Sequence, residues 1–378
     1  MTEAHTTRLH RFHDPRMAPA FIAGQPLLVD IELTVQDVSI DHNEMLVIDA
    51  WYSQFWSDAR FRYPPNLSCR SNTSLDFRLV HDEVFWTPGV AVSNSRESIV
   101  HVSPSPNVLG IIHPNGSVWV NYRMRVTVPC KRQLTRFPLD GVTCDMQFES
   151  SRHHAGEMTL RWWPVAPITL VKAKTDYRIP DMELRSFSTY ESSNRYTAGD
   201  WCQLVARFTF VRMSGHYWLN MFLPTAVAVT ISWFGFFFPL DGVRSRATLG
   251  FAAISLLVFN IGNVMSAGLP AASHIRAIDV WLIVCLIFSF AALFQMLLSC
   301  ALEQIGEPKV QQLIVRVDGD KTVTTIVQTI PLVPFLRRRK PHQISVGEFC
   351  DRVAIVLYPC AFACFVLLFI RQYAVDRY

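Results

Sequence analysis

Cys130 and Cys144 stand with thirteen residues between them, and the segment they bracket contains Phe137, Pro138 and Asp140. Joined to each other, such cysteines would close a short loop, a chemistry that requires an oxidising compartment. Pro138 would stiffen the loop tip and leave an apolar Phe137 and an acidic Asp140 displayed on it. Read from spacing alone, the closure is a staple worth about 2–4 kcal/mol. Enzyme chemistry finds no comparable foothold. No nucleophile elbow, glycine-rich phosphate loop or spaced metal motif occurs. His153 and His154 are adjacent but lack a third ligand at zinc spacing, so they read as a solvated loop or a pH-sensitive rim. The sequence therefore calls for no cofactor and no metal. A net charge of +4 gives no reason to invoke nucleic acid.

The elements that must position these residues fall into two classes. Half of the 378 residues are hydrophobic and only 17% are charged, against about a quarter in a soluble protein. Residues 215–240, 247–275, 280–302 and 353–370 contain no Asp, Glu, Lys or Arg. Crossing a bilayer takes about 20 apolar residues, so four spanning helices are predicted. Residues 1–214 differ: runs such as "LLVDIELTVQDVSI" and "SVWVNYRMRVTV" have period two, and "YPPN", "TPG" and "HPNGS" mark turns. That pattern predicts a mostly antiparallel sandwich. Arg244 and Arg246 lie between the first two helices and Arg337–Lys340 between the last two; positive residues favour the cytoplasmic side. The β domain is then extracellular. Sequons at Asn66, Asn72 and Asn115 all fall within it and are expected to carry glycans. The opening "MTEAHTTRLHRFH" has no apolar leader core, as expected if a leader has been removed or the start is truncated. The cysteines other than Cys130 and Cys144 offer no second clear bridge, and those in the apolar runs read as small fillers.

A loop bracketed by cysteines, containing Phe-Pro-x-Asp and followed by four membrane helices, resembles the Cys-loop receptors, the pentameric ligand-gated ion channels of animals. Other stretches agree in order. "WSDARF" carries Trp56, Asp58 and Arg60; "FWTPG" carries Trp86 and Pro88, with Gly89 where the family has Asp. Arg212 precedes the first helix, Pro224 lies inside it, and "RAIDVWL" resembles the start of the third helix in the anion-channel branch. The resemblance implies a Cys130–Cys144 disulfide, with Phe137, Pro138, Asp140 and Arg212 transmitting agonist binding to the pore. It implies an immunoglobulin-like extracellular ligand-binding domain over 1–214 and transmembrane helices one to three over 215–302. A short cytoplasmic link of one helix or a loose loop would fill 303–352, with Arg337–Lys340 near anionic lipid, and the fourth helix and an extracellular tail 353–378. The expected setting is the postsynaptic plasma membrane, as a homo- or hetero-pentamer that touches lipid, binds a neurotransmitter and passes chloride.

In "RATLGFAAISLLVFNIGNVMSAGLP" the anchor Leu249-Gly250 aligns the second, pore-lining helix of that family. A small, polar face is predicted to carry Arg246, Thr248, Ala252, Ser255 and Phe259, then Gly262, Asn263 and Ser266, and such a face seeks water or protein rather than lipid. Where the family has a gating leucine this chain has Ser255, so a ring of Phe259, or of Leu256 if the register slips by one, becomes the constriction. Cation-conducting relatives place a glutamate at the position of Ser245. Here Arg244 and Arg246 flank that position, which points to an anion. A cation-selective pore is the alternative.

For the agonist, the resemblance implies an aromatic box between subunits, which holds ammonium groups by cation–π attraction. Trp51 and Arg123 fall on one side of it; Tyr196, Trp201 and Glu149 fall on the other. Ser151 and Ala91 stand where aromatics are expected, so two walls are missing. The agonist is expected to be an amine, or an amino acid whose carboxylate meets Arg123. The alternative is an accessory subunit of a heteromer without a complete agonist site.

Overall fold

The computed structural model describes residues 17–19, 25–40, 45–62, 73–75, 86–173, 176–179, 181–266, 274–306, 310–315, 323–328 and 345–373. Asn66, Asn72 and Arg337–Lys340 lie outside them. The chain forms two compact units, Met1–Gln133 with Gly141–Met213, and Leu134–Asp140 with Ser214–Tyr378.

Among the described residues, fourteen strands build the first unit. They are β1 (Leu27–Ile40), β2 (Leu46–Ser57), β3 (Thr73–Leu75), β4 (Val90–Val92), β5 (Glu97–Val100), β6 (Val108–Ile112) and β7 (Ser117–Val128). Then come β8 (Cys130–Arg132), β9 (Gly141–Ser150), β10 (Met158–Trp162), β11 (Ile168–Leu170), β12 (Arg178–Ile179), β13 (Met182–Tyr196) and β14 (Gly199–Arg212). One sheet runs β10-β1-β2-β7-β6-β3, with β11 also on β1 and β5 on β7. The other runs β12-β13-β14-β9-β4, with β8 on β9. Only β1 against β10 and β11 is parallel among the described pairings.

The period of two decides which residues this sandwich buries. Val29, Ile31, Leu33 and Val35 of β1 are buried, as are Ile48, Ala50 and Tyr52 of β2 and Val142, Cys144, Met146 and Phe148 of β9. The two sheets meet where the Tyr52 and Phe148 rings stack at 5.3 Å. Each residue adjacent in sequence to these two then points to an outer face. That places Trp51 outside the first sheet and Glu149 outside the second. Cys130 and Cys144 face each other across β8 and β9 and are joined, as the resemblance implied.

The second unit is helical. Among its described residues four helices, α1 (Gly215–Phe237), α2 (Val243–Ser266), α3 (Ala277–Gly306) and α4 (Val346–Tyr373), are long and apolar enough to cross a membrane. Pro224 removes one backbone donor from α1, and the backbone widens into a π-helical turn at Trp218–Phe222 just before it. Trp281 ties three helices together: its indole N–H donates to the Thr225 hydroxyl at 2.9 Å, and its ring meets Phe222 at 5.0 Å and Phe369 at 5.2 Å. Val353, Val356, Leu357, Leu367 and Leu368 of α4 remain exposed, the outward apolar surface that lipid accommodates. Within this unit Phe137 is buried, edge-on to Tyr217 at 5.3 Å, and its carbonyl accepts from the Ile278 N–H at 3.2 Å.

The link departs from a helix or loose loop. Strands β15 (Val310–Val315) and β16 (Val323–Gln328) form an antiparallel pair, because "VQQLIV" and "VTTIVQ" are rich in β-branched residues. Helices α3 and α4 also run past their apolar runs, to Gly306 and back to Val346. Charge ends a hydrophobic run, not a helix. Ser345 caps α4, its hydroxyl accepting the Glu348 N–H at 3.1 Å, and Ser-x-x-Glu is a capping signature.

Candidate functional site

Glu149 sits near the end of β9, 9% exposed, between Gln203 of β14 and Ala91 of β4 in the ladders. Its Oε2 accepts from Gln203 Nε2 at 3.1 Å, Asn194 Nδ2 at 3.1 Å and the Tyr196 hydroxyl at 3.4 Å. A carboxylate so held is oriented and remains an acceptor on its other oxygen. Beside it Tyr196 and Trp201 meet edge to face at 5.6 Å, and His154 stands at 6.1 Å from Trp201. The β13–β14 hairpin is held by Arg195 on Asp200 at 2.8 Å; that hydrogen bond lowers the Asp200 pKa and raises that of Arg195. The Ala155 N–H donates to the Asp200 carbonyl at 2.8 Å, fastening the histidine loop to the hairpin.

Small side chains occupy the two positions where aromatics were expected. Ser151 is exposed and its hydroxyl donates to the Gly89 carbonyl at 3.1 Å, while Ala91 is exposed and contributes only a methyl group. Trp86 does not fill the gap. It is buried against Trp56 at 6.0 Å and His153 at 5.7 Å.

Outside the first sheet, Trp51 and Arg123 are direct partners across β2 and β7, with the guanidinium 6.0 Å from the indole centroid. The Arg123 Nε has no hydrogen-bond partner among the described residues. Two residues along the same face, Asp49 binds Arg125 at 3.1 Å and His101 at 3.1 Å. Burial is the largest single influence and pushes the Asp49 pKa up, but the hydrogen bonds and charges of Arg125 and His101 together outweigh it and the net shift is downward. The Trp51 and Glu149 groups lie on opposite outer faces of one sandwich, so one chain supplies two half-sites that point apart.

Sequence reasoning missed Gln203 and Asn194. Period two contained the signal: Gln203 lies two residues after Trp201 and Asn194 two before Tyr196, hence on the same face. His101 carried no local signal, because it reaches Asp49 from a loop, and His154 was legible only as part of a solvated loop or a pH-sensitive rim.

In the helical unit, Ser245, Thr248, Ala252, Ser255, Phe259, Gly262, Asn263 and Ser266 are all exposed along α2. Phe259 is 66% and Leu256 40% exposed. Arg246, expected on this stripe, is not on it. It is 1% exposed and its guanidinium pairs with Asp351 of α4 at 2.6 Å. Thr248 is two residues from Arg246, about 200° around a helix, so the two cannot share a face. Arg244 and Ser245 are the exposed residues at that end. In the first unit Arg212 is buried and ion-paired with Asp181, while in the second Pro138 and Asp140 are buried. Asn115 is exposed in the β6–β7 turn.

Among known proteins, residues 2–214 match the neurotransmitter-gated ion-channel ligand binding domain family. Ligand-gated ion channel 50 of Caenorhabditis elegans is 36% identical over 280 residues, which covers 73% of this chain and 55% of that protein. The serotonin-gated chloride channel mod-1 of the same organism is 34% identical over 281 residues, 74% of this chain and 56% of its own. Its acetylcholine-gated chloride channel subunit acc-1 is 32% identical over 278 residues, 73% and 58% respectively. The chain spans a little over half the length of these relatives.

Proposed function

Because this chain belongs to the neurotransmitter-gated ion-channel family, in the anion-channel branch of the Cys-loop receptors, we propose that it is one subunit of a channel opened by an amine. The agonist binds between neighbouring subunits and the pore passes chloride. The carrying observation is the Glu149 carboxylate, held by Gln203, Asn194 and Tyr196 beside the Trp201 ring. An acid next to aromatic faces suits an ammonium group by charge and by cation–π attraction. Two similar proteins are named for serotonin and acetylcholine, both of which carry a cationic nitrogen.

Half-sites on opposite outer faces require a head-to-tail contact, and such contacts generate rings when the rotation closes. Five copies are the family's ring. Glu149, Tyr196 and Trp201 of one subunit then meet Trp51 and Arg123 of the next. The β unit lies outside the plasma membrane, and the 303–352 link lies in the cytoplasm. The exposed stripe from Ser245 to Ser266 lines the axis, with Arg244 supplying positive charge at its inner mouth, where a ring of like charges sets the sign of the permeant ion.

Expression of this chain alone in cells, with biogenic amines, acetylcholine, GABA and glutamate applied in turn, tests the reading. Amine-evoked currents whose reversal follows external chloride support it. A reversal that follows sodium and ignores chloride replaces the anion pore with a cation pore. The exposed Ser151 and Ala91 favour a second reading, an accessory subunit without a complete site. Silence alone, with currents restored by a co-expressed relative, supports that one.

A further inference from the structure

Arg246 is the largest fully buried side chain among the described residues, and nothing in agonist binding or conduction as proposed makes use of it. A buried charge is retained only with partners, and the partners of Arg246 come from two other helices. Its Nη1 lies 2.6 Å from Oδ2 of Asp351, in the second turn of α4. Its Nε donates at 3.1 Å to the carbonyl of Phe238, the residue that follows α1, and the Nη2 group donates to the same oxygen. That carbonyl belongs to a helix C-terminus, where backbone acceptors lack intrahelical partners. One side chain in the first turns of α2 therefore fastens the end of α1 to the start of α4. The start of α4 is itself pressed against α3: a Cβ on Gly347 would come within 2.6 Å of the Ser299 carbonyl. The anchor point cannot drift without moving that contact.

Helix geometry turns this anchor into a constraint on its neighbours. Successive residues are about 100° apart. With Arg246 turned inward, Arg244 is rotated about 200° away and Ser245 about 100°. Both are exposed, and among the described residues no ion pair engages the Arg244 side chain. We propose that the Arg246–Asp351 pair is the positioning device of the selectivity end of the pore. It withdraws the Arg246 charge from the ion path and holds Arg244 toward the axis as the charge that selects the ion. Arg246 is a positioning residue, and Asp351 acts with it. The inference deepens the channel reading and rests on it.

The test uses the full chain in cells, with reversal potentials under chloride replacement, and membranes for thiol labelling. Arg244→Gln is expected to lower chloride preference several-fold. Arg246→Lys, which keeps the charge, is expected to leave it unchanged. The double variant Arg246→Met with Asp351→Leu, which removes the anchor without stranding either charge, is expected to lower it several-fold. Asp351→Asn alone, which strands the arginine, is expected to lower the preference and the surface level together. A double variant that reaches the surface with its chloride preference unchanged would overturn the proposal, as would an unaltered preference in Arg244→Gln. A second readout needs no current: a water-soluble thiol reagent applied to the cytoplasmic side of Arg244→Cys membranes. Labelling several-fold slower when Asp351→Asn is added supports the positioning role. Equal rates refute it. A wild-type reversal that ignores chloride sinks the anion reading separately, without altering the labelling result.

Discussion

Gln203 donates its side-chain N–H to Glu149 Oε2 at 3.1 Å across the β14–β9 ladder, 54 residues away in sequence. The bond orients the carboxylate, which also accepts from Tyr196, the ring partner of Trp201, and fixes what should happen when either partner changes. Glu149→Gln is expected to raise the half-maximal agonist concentration. Trp201→Ala is expected to do the same by removing a cation–π face, at about 0.5–2 kcal/mol or a few-fold to more than tenfold. Dose–response curves unmoved by both would place the agonist elsewhere. Arg123→Gln separates agonist classes: it should matter little for a simple amine and greatly for an amino acid whose carboxylate meets the guanidinium.

The Cys130–Cys144 bridge closes the loop whose tip, Phe137, is buried against Tyr217. Cys130→Ser is expected to lose about 2–4 kcal/mol of stability and to reduce mature receptor at the cell surface. Surface biotinylation measures this. Normal surface levels together with normal currents would contradict it.

Asp49 carries a pH dependence of definite sign. Its folded pKa is lowered on balance, because the hydrogen bonds and charges of Arg125 and His101 together outweigh its burial. A group depressed on folding contributes stability that is present above its unfolded pKa, near 3.9, and is lost as pH falls through the folded value. Thermal melting of the solubilised chain should therefore weaken from about pH 4 downward. Asp49→Asn should lower stability at neutral pH and flatten that acid slope. An equally steep slope in the variant would assign the acid loss to other carboxylates.

Ser245 is exposed at the end of α2 beside Arg244. Ser245→Glu would set five carboxylates around a narrow path of low dielectric. The reversal potential is expected to move toward that of cations. No change under chloride replacement would remove this end of α2 from the selectivity mechanism.

Much of this protein was legible from local periodicity. Four uncharged runs specify four helices because a bilayer core has one thickness. Alternation in "LLVDIELTVQDVSI" specifies the buried face of β1 because a strand has one period. The ordered motifs around Trp56, Trp86 and Pro138 pointed to the family, and Glu149, Tyr196 and Trp201 did come together. What only the tertiary structure decided depends on phase and on contacts between distant segments. Composition identifies α2 as a helix with a polar stripe but does not reveal that Arg246 opposes the stripe, since its partner Asp351 lies beyond α3, β15 and β16. The same holds for the withdrawal of Trp86 into the core against Trp56 and His153, and for the bonds from Gln203 and Asn194 that orient Glu149. Periodicity is a property of one element. The direction of a buried charge is set by whichever element supplies its counter-charge.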